Sequence, residues 1–360
     1  MTDSLTTITT RHQSHFERLK SHEAAKIDEF IKEMDASIRE LLTRDDITEF
    51  SRARLEQRLR QVEKLMRGTL ADYRKVWRES ITEAAQYEAT FEGRSLEQVV
   101  EGVELAMPTN KQIETAVFST PIGDIPGPMG GQLLEPFMDL MDSNEIRKVH
   151  GAIRAGYAQG DTTDKIVRRI RGTKRAGYRD GLWAGTKREI EAVVRTSLQH
   201  AAGVARAEVW QKNDEVIKAV RIVAALDSRT STICRSLDGR EFPLDKGPRP
   251  PFHINCRTSV VAVLKKKYAD LSLDRTRSSR DPETGDVESV SAGKTYYGWL
   301  KGQPANVQDS IVGVTRGQLL RDGGLSAKRF AELQIDKNLE PMKLADMKKL
   351  EPAAFERAGL

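Results

Sequence analysis

Cys234, His253 and Cys256 bring the chain's only two thiols and an imidazole into one window, between Leu226 and Arg257. The His-x-x-Cys spacing of His253 and Cys256 lets both side chains point at one ion from a tight turn. Cys234 then reaches back as a third ligand and Asp227 as a fourth. Thiolates with an imidazole favour zinc, and a structural zinc site takes four ligands. One structural zinc on Cys234, His253, Cys256 and Asp227 is therefore one expectation. The other is that the thiols are small buried apolar groups and the histidine a satisfied turn residue. A disulfide suits a reducing compartment less well. No general base stands out beside the window, so a catalytic zinc is not expected.

A second chemistry-bearing stretch is basic. Lys165, Arg168, Arg169, Arg171, Lys174, Arg175, Arg179, Lys187 and Arg188 face a single acid, Asp180, so residues 165–188 carry +8 and the remaining 336 sum to −3. Arginine and lysine at this density can neutralise phosphates and release counterions. Tyr178 and Trp183 are interleaved as stacking or packing groups, and the local glycines would let backbone approach a phosphate closely. Contact with non-specific DNA is expected here, against the alternatives of an acidic protein surface or a solvated helical face. Other chemistries find no support. Gly127-Pro-Met-Gly-Gly lacks the Gly-Lys-Ser/Thr ending of a phosphate loop. No Gly-x-Ser-x-Gly elbow occurs. His12, His15, His22, His150 and His200 are scattered through helical segments as surface or packing residues. No catalytic residue is expected.

The elements that must position these groups are mainly helical. Phe16, Leu19, Ile27, Phe30, Met34, Ile38 and Leu41 recur at helical spacing, and after Thr43-Arg-Asp-Asp so do Leu55, Leu59, Val62, Met66, Tyr73 and Val76. Such steps predict a long helical hairpin or coiled coil over 1–105, acting either as a docking or oligomerisation arm or as an ordinary intramolecular hairpin. A Pro/Gly-rich connecting region follows at 106–144. Residues 145–270 read as a compact α+β core. Asp161-Thr-Thr-Asp caps a short helix, a longer helix begins at Lys187, and strands are expected at Val216–Leu226 and Thr258–Leu264. Residues 271–294 lack apolar content and are expected to be a flexible linker. Short helices fill 295–360, where Leu344, Met347 and Leu350 mark an amphipathic segment that packs on its own domain or in a partner groove. The fold class expected is mainly α with a small α+β core.

Composition sets the outer limits. The 360 residues are 38% hydrophobic and 31% charged, with a net charge of only +5, which excludes a wholly basic coat and an acidic tail. No apolar run is long enough for a membrane span. The opening residues lack the basic-then-apolar order of a secretory signal. Two cysteines cannot make a disulfide scaffold. A soluble chain made in a reducing cytoplasm is expected.

The run Leu226-Asp-Ser-Arg-Thr, Cys234, Leu237-Asp-Gly, Phe242 and Pro250-Pro-Phe-His-Ile-Asn-Cys-Arg resembles the signature of the phage Mu F-like minor head proteins. These are head-morphogenesis proteins of tailed phages. Val194-Arg-Thr-Ser-Leu, Ala201-Ala and Ala205-Arg-Ala-Glu are similar to the family's approach to that motif. Tyr297-Gly-Trp-Leu, Val314-Thr-Arg-Gly and Gly323-Gly-Leu-Ser resemble the tail of some members. The likeness is strongest at 190–260 and absent from the N-terminal helices. The family usually reads Cys-Arg-Cys after the histidine, where this chain has Cys256-Arg257-Thr258. If that second cysteine is a ligand in the family, this chain lacks it. Asp227, Arg229, Thr230, Asp238, Gly239 and Asn255 are then expected to build the loops, since Asp and Thr bond nearby amides and Gly supplies the turn.

The resemblance implies a minor virion component at the portal vertex, acting in head morphogenesis and in DNA packaging, retention or ejection. Its implied partners are the portal protein, other head or ejection proteins, double-stranded DNA and further copies of itself around the portal, with no membrane in the assembled head. Its implied location is the virion head, and the host cytoplasm during assembly. The alternatives are a non-virion DNA-binding assembly factor and, less favoured, a nuclease or transferase carried on a head protein.

Overall fold

The computed structural model describes residues 4–44, 52–100, 102–123, 130–269 and 276–360. Pro126, Gly127 and Pro128 of the Pro/Gly-rich region and Leu273 and Asp274 of the expected linker lie outside them. Helix α1 (Leu5–Ala25) starts where the Ser4 hydroxyl accepts from the Thr7 amide at 3.2 Å, a side-chain N-cap. After Lys26 the chain continues as α2 (Ile27–Thr43), and α3 (Arg52–Glu97) returns for 46 residues. Helix α4 (Asn110–Ser119) opens with a Thr109–Gln112 capping box. Helix α5 (Leu134–Ala158) and α6 (Thr163–Arg171) follow, and a 3₁₀ turn at Lys174–Ala176 leads to α7 (Leu182–Lys212).

The sheet is antiparallel, β2 (Glu241–Phe242), β1 (Ile217–Val223), β3 (Ser259–Leu264) in that order, with Val220 opposite both Phe242 and Ala262. Helix α8 (Thr232–Leu237) joins β1 to β2. Beyond α9 (Lys266–Ala269), β4 (Thr276–Arg280) and β5 (Val287–Ser291) form a hairpin. The chain ends in α10 (Tyr296–Leu300), α11 (Ala305–Val312), α12 (Val314–Asp322), α13 (Ala327–Glu332), α14 (Leu344–Leu350) and α15 (Pro352–Arg357). This is a mainly helical molecule around a small sheet, as the periodicity predicts.

Of the two readings of the N-terminal hairpin, the structure shows the intramolecular one. Phe16, Trp77 and Ile81 share one buried cluster with Leu198, Trp210, Val220 and Val261 of the core. Its outer half, Met34, Ile38, Val62 and Met66, is covered by Val149 and Ile153 of α5 and by Ile166 and Ile170 of α6. The apolar stripe of the hairpin is thus covered from within the chain. The expected linker at 271–294 holds a hairpin instead. Its composition is polar, but Arg277 is buried and pairs with Asp238 at 3.0 Å, so an ion pair replaces an apolar face. The connecting region 106–144 contains α4 and the start of α5. At the C-terminus, Met347 and Phe355 pack with Tyr296, Trp299 and Phe330, while Leu350 stays exposed.

Candidate metal centre and the loops around it

The motif window folds because each polar turn closes on itself. Ser231 caps α8 by accepting from the Cys234 amide at 3.3 Å, which points Cys234 into a cluster with Ile222, Leu237, Phe252 and Cys256. The Cys256 amide donates to the His253 carbonyl at 3.1 Å, closing the His-x-x-Cys turn. Asn255 sits in this turn at φ 60°, a left-handed conformation that asparagine adopts more readily than most residues. Its amide is held by Thr196 of α7 at 3.0 Å.

Three of the four expected ligands meet. Cys234 Sγ lies 3.2 Å from His253 Nε2 and 3.7 Å from Cys256 Sγ, and one ligand atom from each residue lies within 4.8 Å of the others. Two thiolates about 2.3 Å from a tetrahedral ion stand roughly 3.8 Å apart, so the sulfur spacing fits zinc. His253 Nδ1 is 2.9 Å from the Ile254 carbonyl. A carbonyl only accepts, so Nδ1 holds the proton and Nε2 faces the sulfurs, the tautomer a metal needs. The hydrogen bond to Cys256, then burial, pushes the Cys234 thiol well up. Burial opposes charge on Cys256, but hydrogen bonds from Cys234 and His253 outweigh it and hold that thiol well down. Burial likewise opposes the charge on His253, and contact with Cys256 raises it nonetheless. The two thiols are thus held apart in acidity, with Cys256 the one favoured as thiolate beside His253.

Asp227, the expected fourth ligand, is elsewhere. Both of its oxygens take the Arg257 fork, at 2.5 and 2.8 Å, and Oδ1 also accepts from the Arg229 amide at 3.0 Å and the Thr230 hydroxyl at 3.1 Å. Its carboxylate is committed to a bidentate guanidinium and does not join the three ligand atoms that converge. Its neighbour Arg257 and the loop amides, absent from spacing arguments, decide this. The Arg229 side chain points to solvent, 3.8 Å from the carboxylate. Asp238 is a second hub. It accepts from the Ala224 amide at 2.7 Å, the Tyr296 amide at 2.6 Å and Arg277, so it ties sheet, hairpin and C-terminal helices together. Gly239 follows at φ 81°, where an added Cβ would stand 2.7 Å from Thr295.

Sequence reasoning missed several partners of the centre. Lys20 of α1 is buried, donates to Gln199 at 2.8 Å and to the Cys256 carbonyl at 3.3 Å, and pairs with Glu17. Gln199 in turn donates to the Thr258 carbonyl at 3.0 Å. A lysine in a periodic helix gives no signal of such a role, and only the fold-back of α1 could reveal it.

The basic stretch is divided in space. Arg169 meets Asp161 at 2.8 Å, Lys187 meets Asp28 at 2.6 Å, Arg171 lies 3.5 Å from Asp35, and Lys165 lies 3.6 Å from Asp161. Arg168, Lys174, Arg175, Arg179 and Arg188 are exposed and make no ion pair among the described residues. Trp183 is buried with its indole N–H on Asp35 at 3.0 Å, whereas Tyr178 is exposed beneath the Arg171 guanidinium. Gly172 and Gly181 serve backbone-to-backbone packing, not phosphate approach. A Cβ on Gly181 would lie 2.2 Å from the Gly172 nitrogen.

A helix-flanked antiparallel sheet, closed by a His-x-x-Cys turn and two aspartate hubs, makes up the core that carries the motif. Residues 147–261 match the family model described as phage Mu protein F like protein, so this segment of the chain is similar to that family. No curated protein and no solved structure matches the chain. Likeness to that family points to phage head morphogenesis. No described helix is long and apolar enough to cross a membrane.

Proposed function

We propose that this protein is a minor head component at the portal vertex of a tailed phage, assembling with the portal protein and acting in DNA packaging, retention or ejection. The observation that carries the reading is the family match across the sheet, its motif loops and the long helix before them. The absence of a histidine or cysteine from the C-terminal helices agrees with a non-catalytic role. In this reading Cys234, His253 and Cys256 hold one structural zinc that stiffens the turn between β2 and β3. Zinc supplies only cross-linking there. The exposed cations Arg168, Lys174, Arg175, Arg179 and Arg188 face DNA, with an acidic portal surface as the competing partner.

The direct test is mass spectrometry of purified virions, with and without the portal co-purified. A retained head component appears in the particle and travels with the portal. A chain that is abundant in infected cells and missing from virions would instead be an assembly factor that leaves before maturation.

A further inference from the structure

Between α1, the Leu226–Thr230 loop and the β4–β5 hairpin lies an open cleft of about 540 Å³. Five arginines line it, Arg18, Arg195, Arg229, Arg257 and Arg280, against two acids. Both acids are already engaged, Asp227 by Arg257 and Glu17 by Arg195 at 2.6 Å. That leaves an excess of three guanidinium charges. Arg18 and Arg280 make no ion pair among the described residues, Arg280 using one nitrogen on the Gly285 carbonyl at 2.6 Å, and Arg229 only grazes the shared Asp227 at 3.8 Å.

A second observation points the same way. The Ser279 hydroxyl lines this cleft, is 3% exposed, and has no hydrogen-bond partner among the described residues. A buried hydroxyl left unpaired is costly, and a ligand oxygen would satisfy it. Val223, Leu226 and Val287 supply an apolar wall beside these donors.

We propose that this cleft binds the phosphoryl group of a phosphate-bearing ligand of nucleotide size. Guanidinium forks match a tetrahedral oxyanion, and an excess of three guanidinium charges plus a hydroxyl exceeds what a single carboxylate can use. The volume falls in the range of small-ligand pockets, and the apolar wall takes the uncharged part of the ligand. None of these residues belongs to the 165–188 stretch, so the proposal stands apart from the DNA contact proposed there.

Isothermal titration of the full chain with adenosine monophosphate, inorganic phosphate and a short single-stranded oligodeoxynucleotide tests it. The variants are Arg18→Gln, Arg280→Gln and Ser279→Ala, each checked for an unchanged melting curve. Adenosine monophosphate binds the wild type, inorganic phosphate competes, and each arginine variant weakens binding on the order of tenfold, the loss of one charge-assisted hydrogen bond. Lys174→Gln with Arg175→Gln leaves it unchanged. Binding of the oligonucleotide alone, with the same sensitivity to the cleft variants, still supports the proposal and places the phosphoryl group in a strand. The proposal is overturned if no phosphate-bearing probe binds, or if the cleft variants leave binding intact. Poly-glutamate binding more tightly than either phosphate probe, and lost in the same variants, overturns it in favour of carboxylates.

Discussion

At the metal centre the neighbour to change is Thr258, which follows Cys256-Arg257 at the position where the family that this motif resembles usually carries a second cysteine. Three ligands leave a tetrahedral ion one short, and Asp227 is held by Arg257. Purified protein is expected to hold about one zinc per chain and to melt lower after chelation. Thr258→Cys should complete a Cys₃His site and raise zinc affinity at least about tenfold, roughly 1.4 kcal/mol, in a competition titration. Metal-free protein with an unchanged melting point in both forms would sink the metal reading. His200 shows another residue-scale effect. It is buried against the Thr120 carbonyl at 3.1 Å, and burial lowers its pKa to about 4. The unfolded chain therefore takes up the proton first, so His200 contributes fully above pH 6.5 and its contribution is lost as pH falls toward 4. Asp142, pushed up to about 6 by burial against the opposing Arg74, has the opposite sign below pH 6. The wild-type curve alone would hide the effect. His200→Gln should therefore gain about 3 kcal/mol relative to wild type between pH 7 and pH 4 in urea titrations. Parallel stability curves would show that His200 does not titrate in this way.

Between elements, polar pairs do what the apolar stripe cannot. Glu88 of α3 accepts from Arg206 of α7 at 2.8 Å and meets His12 of α1 at 2.5 Å, while Arg206 also reaches Ser259 of β3 at 3.0 Å. Burial works against ionising Glu88, but Arg206 and His12 keep its carboxyl below the usual range. Glu92 one turn on is pushed up by burial and accepts the Trp210 indole N–H at 2.7 Å. These contacts fix how the hairpin lies on the core, which a stripe of leucines and methionines leaves open to sliding. Arg206→Ala strands a buried carboxylate and should cost about 3–5 kcal/mol, read as a fall in urea midpoint with an unchanged slope. A change under about 1 kcal/mol would show that water reaches Glu88 and that the pair does not anchor α3.

Across the whole molecule, charge is redistributed by folding. The +8 of residues 165–188 counts only neighbours in sequence, and Asp28, Asp35 and Asp161 offset part of it. The cations of this stretch that make no ion pair among the described residues are Arg168, Lys174, Arg175, Arg179 and Arg188. If they meet phosphates, changing the first four to Gln should lower the salt slope of DNA binding by about 3 to 4. Changing the paired Arg169 and Lys187 should move it far less. Equal effects from both sets, or none, would assign the stretch to a protein surface or to solvent.

Helical period, the two strands flanking the motif and the likeness at 190–260 are local properties, set by residues within a few turns of one another. They were legible in order, and the family match at 147–261 overlaps the same segment. The gathering of Cys234, His253 and Cys256 was legible too, because a tight turn and a short helix span the distance. What lay beyond the sequence depends on partners remote along the chain. Arg257 against Asp227, Lys20 under Cys256, Arg277 in a segment too polar to look folded, and five arginines around one cleft are each set by packing. Sequence fixes which groups are present and their local geometry, whereas a charge's partner is chosen by the desolvation that only the closed tertiary structure imposes.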